Sequence, residues 1–130
     1  MTVFLTTDQV AAIHDLQSGQ PLRDRAVLAG AVNRALTGWG DDLLYPDAEA
    51  QAAVLLVSLC QAQAFVDGNK RTAWVACDVS LAINGLRIVD VSDEAVVDLM
   101  LAISTKALDA TAAADWIRTH TVATPVRRRP

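Results

Sequence analysis

Five consecutive residues, Asp67-Gly68-Asn69-Lys70-Arg71, set an acid, a glycine, an amide and two cations side by side. The segments on either side read as apolar helices, and a charged loop between two buried helices is costly unless it binds something. Gly68 has no side chain, so backbone N–H groups can come close to an anion there. Asn69, Lys70 and Arg71 would open the following helix, whose first N–H groups are unpaired and whose dipole end is positive. Cations at a helix start oppose that dipole by a few tenths of a kcal/mol each, so Lys70 and Arg71 are placed for something other than helix stability. Arg71 can grip a phosphate with a two-pronged fork, and Lys70 supplies a point charge. Asp67 can ligate Mg²⁺, which binds through one or two carboxylates together with substrate phosphates. The competing reading pairs Asp67 with Arg71 and leaves the cations solvated. The density of groups at one helix start favours a nucleotide phosphate with a divalent metal.

The elements that must hold this loop follow from local patterns. Phe65 is expected to anchor it in the core. Before it, Asp47 to Gln63 is apolar nearly all round between Ala52 and Cys60, which marks a central helix. After it, about Lys70 to Ile83 is equally apolar and ends at Asn84-Gly85, a left-handed cap signal. Thr6 to Gln9 matches a capping box for a first helix whose inner face carries Val10, Ile13 and His14. His14 is expected to be a packing histidine rather than a catalyst. A second helix is expected over Leu22 to Leu36, with Val27, Leu28, Ala31, Val32 and Ala35 inward. Thr37 to Asp42 breaks it as a mobile-loop candidate. Trp39 and Tyr45, next to that break, either close over the core or border a substrate groove. Val3-Phe4-Leu5 and Arg87-Ile88-Val89 are candidate short strands, expected to lie side by side. Ser92 caps a fifth helix whose first turn holds Asp93 and Glu94. A last helix covers Thr111 to His120, with His120 at an exposed end and no catalytic role.

Bulk properties bound the rest. The chain has 130 residues, 52% of them hydrophobic, with six glycines and four prolines. That length suits a single domain, and abundant alanine favours helix. We expect residues 1–122 to form the domain and 123–130, with Arg127-Arg128-Arg129, a disordered basic tail. A net charge of −4 argues against direct nucleic-acid binding. No apolar run suits a membrane span and the start lacks a signal-peptide pattern, so a cytoplasmic location is expected. Cys60 and Cys77 sit in apolar helical patterns and are expected to be reduced and buried.

Gln63-Ala64-Phe65-Val66-Asp67-Gly68-Asn69-Lys70-Arg71 resembles the Fic/Doc signature, His-x-Phe-x-(Asp/Glu)-Gly-Asn-(Gly/Lys)-Arg, at six of its seven specified positions. Short length, helical pattern and Lys70 make the chain similar to the Doc (death-on-curing) branch, toxins of toxin–antitoxin pairs. The resemblance covers about Val3 to His120 and implies an all-α, compact single-domain bundle of about six helices. By motif position it implies Asp67 as the metal ligand, Gly68 and Asn69 as the phosphate-binding turn, and Lys70 and Arg71 as phosphate grips. The implied cofactors are ATP and Mg²⁺. The implied activity is transfer of a phosphoryl group to a hydroxyl of a protein target, a translation factor such as elongation factor Tu. A Phd-type antitoxin is the implied partner, since the family's self-inhibitory signature, Ser/Thr-x-x-x-Glu-Gly/Asn, is absent.

Two positions depart from that pattern. Gln63 stands where the family carries its general-base histidine, and an amide cannot take a proton near neutral pH. The resemblance therefore implies a site that binds nucleotide but is impaired in transfer, with the glutamine either natural or introduced so that a toxic protein could be produced. Gly68 resembles AMP-transferring members, where Doc proteins often carry alanine, while Lys70 resembles Doc. The alternatives are thus a Fic-type AMP-transferase and a catalytically inert nucleotide- or antitoxin-binding module.

Overall fold

The computed structural model describes residues 2–36, 38–39, 42–43, 45 and 47–124. Among the described residues there are six α-helices: α1 Thr7–Gln17, α2 Arg25–Asn33, α3 Ala48–Ala62, α4 Asn69–Ile83, α5 Asp93–Ser104 and α6 Ala110–His120. The fold is all-α, as expected, and among the described residues strand pairing is limited to two short antiparallel ribbons and one isolated bridge.

Helix ends fall where side chains can satisfy free backbone donors. Thr6 and Gln9 form the reciprocal capping box of α1. Asp24, Asp47, Ser92 and Asp109 each accept from a backbone N–H in the first turn of α2, α3, α5 and α6. Asp24 explains why α2 starts three residues later than expected: as N-cap it is extended, and its own N–H and that of Arg23 donate to the Ala64 carbonyl. Leu28, Ala31, Val32 and Ala35 are buried as expected, Ala35 in a 3-10 turn over Arg34–Leu36, whereas Val27 is exposed.

α3 is the central helix, with an unbroken buried stretch from Gln51 to Leu56, and it touches α2, α4, α5 and α6. Helix α4 packs beside it and against α1. Phe65, Ala73, Ala76, Cys77 and Leu81 extend the same core from the loop into α4. Burying such side chains stabilises by about 1.5–3 kcal/mol each for the larger ones. Trp74 on α4 meets Trp116 on α6 edge-on, with ring centres 6.2 Å apart, and Trp116 stacks on His120 at 4.2 Å.

The strand expectation needs correcting. Strand β3, Leu86–Ile88, pairs with β4, Thr121–Ala123, and not with residues 3–5. The segment after α6 delivers its backbone directly onto that edge, and Val89 N–H and Thr124 N–H extend the ladder to His120 and Gly85 carbonyls. Val3 is held instead by one side chain: Asn84 Oδ1 accepts from Val3 N–H at 2.7 Å and Asn84 Nδ2 donates to Val3 C=O at 2.9 Å. Ordered pairing reaches Thr124, and the Arg127–Arg129 tail lies outside the described residues. In the break after α2, β1 Gly38–Trp39 pairs with β2 Asp42–Leu43. The Trp39 side chain lies outside the described residues. Tyr45 is half-buried, its carbonyl accepting from Gln51 Nε2 at 2.5 Å.

Candidate active site

The charged loop is built as a clamp closed from several directions. Helix α3 ends at Gln63, which adopts the left-handed conformation (φ 56°, ψ 41°) usually left to glycine at a helix C-terminus. That turn sends Ala64 and Phe65 back beneath the α1–α2 connection. There Ala64 C=O accepts from Arg23 and Asp24, Val66 N–H donates to Pro21 C=O, and Leu22 and Phe65 form an isolated antiparallel bridge. Phe65 is 2% exposed and stacks face to face on His14, with centroids 3.7 Å apart and planes 6° from parallel. It anchors the loop as expected.

Asn69 closes the loop from its other end. Its Oδ1 accepts from Phe65 N–H at 3.0 Å and its Nδ2 donates to Phe65 C=O at 2.9 Å. The side chain thus fixes the loop's shape, leaving its backbone N–H at the helix start. Gly68, at φ +81°, is the N-cap of α4 and offers no side-chain cap, in contrast to the other five helices. The first intrahelical bond runs from Thr72 N–H to Gly68 C=O at 2.9 Å.

Gln63, Asp67, Gly68, Asn69, Lys70 and Arg71, with Val66, line one open cleft of about 530 Å³. All six sequence-predicted site residues therefore meet at one place. Lys70 and Arg71 are both exposed and share this cleft with Asp67. The Asp67 carboxylate has no ion pair among the described residues, so the Asp67–Arg71 pairing considered from sequence is not formed. Arg71 instead donates through Nη1 to Gln17 C=O at 3.2 Å, which ties one prong of its fork to the end of α1. The Gln63 side chain lines the cleft but turns its Nε2 back to Cys60 C=O at 3.3 Å, satisfying an end carbonyl of α3. Burial pushes the Cys60 thiol up, against the opposing pull of the Lys70 charge.

No group of three or more His, Cys, Asp or Glu side chains suited to a metal occurs among the described residues. A lone unpaired carboxylate beside an anion cleft fits Mg²⁺ only as a partner of bound phosphates, since that ion keeps several waters and takes one or two carboxylates. Sequence reasoning missed the contribution of His14, Gln17, Pro21 and Leu22. They lie more than forty residues from the loop, and no periodicity connects them to it; the one available sign was a histidine on a buried helix face.

An all-helical protein with an uncapped, cation-flanked helix start over an open cleft is the class that fold and loop define. Residues 4–81 match the Fic/DOC family. The chain is 39% identical over 113 residues to the protein called Toxin Doc of Mycolicibacterium smegmatis, a match spanning 84% of this chain and 86% of that protein. The chain belongs to the Fic/Doc family.

Proposed function

We propose that this protein is a Doc-like toxin of a toxin–antitoxin pair, whose cleft binds ATP and Mg²⁺ and directs a phosphoryl group onto a hydroxyl of a protein target. The observation carrying this reading is the convergence of Asp67, Lys70, Arg71 and the uncapped N–H groups of α4 on one cleft. Likeness to a protein called Toxin Doc supports the toxin reading. By resemblance the target is a translation factor such as elongation factor Tu, and a Phd-type antitoxin covers the site.

The chemistry divides between binding and proton removal. Unpaired N–H groups at Asn69, Lys70 and Arg71 face anionic oxygens along the helix dipole. Lys70 and the free prong of Arg71 neutralise phosphate charge. Asp67 would hold Mg²⁺, which shields phosphate charge when bound. Gln63 stands where the acceptor hydroxyl must lose its proton, and its amide has no basic lone pair for the task.

That last point favours a second reading, a nucleotide- or antitoxin-binding module without catalysis. Gly68 keeps AMP transfer as a third. One experiment separates them: express Gln63→His, follow growth arrest, and assay transfer to a candidate translation factor from α- and γ-labelled ATP. The toxin reading expects transfer from the γ label to rise by about 10²–10⁴ over the parent chain. Label arriving from the α position would establish AMP transfer. An inactive, harmless Gln63→His protein would leave the module reading.

A further inference from the structure

We propose that His14 is a positioning residue for the anion-binding turn, holding the Asp67 carbonyl with its Nε2–H and Phe65 with its ring face. The inference rests on the phosphate-binding reading of the cleft. His14 is 1% exposed, and its Nε2 lies 2.9 Å from Asp67 O. A carbonyl has no proton to give, so Nε2 carries the hydrogen and donates it. The same ring stacks on Phe65. It also backs Gly68: a Cβ placed there would sit 3.6 Å from His14 Cδ2 and 3.7 Å from Nε2. One imidazole from α1 therefore contacts Phe65 and the Asp67 carbonyl and closes the space where a side chain at Gly68 would lie, immediately before the donors of α4.

A ring serving only to fill space would be better as phenylalanine, because burying an imidazole N–H is unfavourable unless it is bonded. The other nitrogen, Nδ1, is 3.7 Å from Asp15 Oδ1, beyond direct hydrogen-bond range. The bond to Asp67 O is thus the polar contact that accounts for a histidine at this position. Its consequence is directional. With the Asp67 carbonyl pinned on the α1 side, the peptide leading into Gly68 is fixed, and the N–H groups after it keep their aim into the cleft.

Two variants split the roles. His14→Phe keeps the stack and removes the donor; His14→Gln places an amide donor near the position of Nε2 and removes the stack. Titrate each full-length chain with ATP–Mg²⁺, measure amide hydrogen exchange at Phe65 and Thr72, and record the melting temperature. Ile117→Val, in the core of α6, controls for general destabilisation. We expect His14→Phe to bind about five- to tenfold more weakly, the magnitude of one neutral hydrogen bond, with faster exchange at both amides. His14→Gln should stay within about twofold of the parent, and Ile117→Val should leave affinity and loop exchange unchanged. Unchanged exchange in His14→Phe, or equal loop loosening in Ile117→Val, would overturn the proposal. A parent chain that binds no ATP–Mg²⁺ would sink the nucleotide reading instead, with the exchange data still deciding the role of His14. Nitrogen NMR of the unaltered chain guards against a variant that does not fold: a bare Nε2 and protonated Nδ1 would refute the bond outright.

Discussion

At the scale of single residues, the side chains around the cleft divide between shaping the loop and lining its opening. Asn69 is the instructive case. The motif resemblance puts it in the phosphate-binding turn; in the structure both polar atoms of its side chain hold the backbone of Phe65, while its backbone opens the helix. Local spacing cannot reveal which way a side chain turns when donors and acceptors lie on both sides of it. Gln63 was legible by type, and its left-handed backbone was not. That backbone bears on the histidine variant, because histidine is among the residues enriched in the left-handed region, so Gln63→His should fold with little change in melting temperature.

Arg71 is the residue where binding can be tested apart from catalysis. One prong of its guanidinium already holds Gln17 C=O, and the residue lines the cleft. Removing the side chain in Arg71→Ala takes away a charge-assisted contact to phosphate, on the order of 1.5–3 kcal/mol. By calorimetry ATP–Mg²⁺ should bind about 10- to 150-fold more weakly, since each 1.4 kcal/mol is tenfold. Arg71→Lys should recover only part of the loss, because an ammonium restores charge without the fork. Equal affinity in all three proteins would remove Arg71 from the nucleotide site.

At the scale of elements, helices were legible because their signals are local. The capping box of α1, the caps at Ser92 and at the left-handed Gly85, and the apolar stretch of α3 all act within a few residues. Strand β3 was read one residue out of place, but its pairing with β4 was not legible, since the partners are more than thirty residues apart and β4 is three residues long, too short to carry an alternating pattern. The same non-locality hid the α1–α2 connection's grip on Ala64 and Val66. These clamps make the α3–α4 junction dependent on Asn69, whose loss leaves the Phe65 N–H and C=O without their partners. Asn69→Ala should therefore lower stability by about 1–3 kcal/mol in chemical denaturation. It should also weaken nucleotide binding, although the Asn69 side chain need not touch the ligand. Full stability with lost binding would instead place that amide on the phosphate.

At the scale of the whole molecule, the two helices that flank the loop are also those that carry the two cysteines, both free and buried. Burial pushes both thiols above their ordinary range; near Cys77 the Asp78 charge adds to the effect, and near Cys60 the Lys70 charge opposes it. The sign of the linkage follows directly. A thiol whose pKa is raised by folding holds its proton more tightly in the folded chain. Its stabilising contribution is complete below the unfolded thiol pKa and is lost as pH climbs above it, because only the unfolded chain can then ionise. Stability should be flat in this respect at neutral pH and should decline above about pH 8.5, the ordinary thiol value. The limiting slope is about 1.4 kcal/mol per pH unit for each thiol that stays protonated in the fold. Cys60→Ala and Cys77→Ala should each flatten that decline even where they lower stability by leaving a small cavity. Denaturant midpoints of the three proteins between pH 7 and 10 measure the slope, and alkylation under native conditions gives an independent reading. Both thiols should resist iodoacetamide until the protein unfolds. Rapid native labelling of Cys60 alone would mean that the end of α3 opens beside the loop, and that the clamp on Gln63 to Phe65 is weaker than its hydrogen bonds imply.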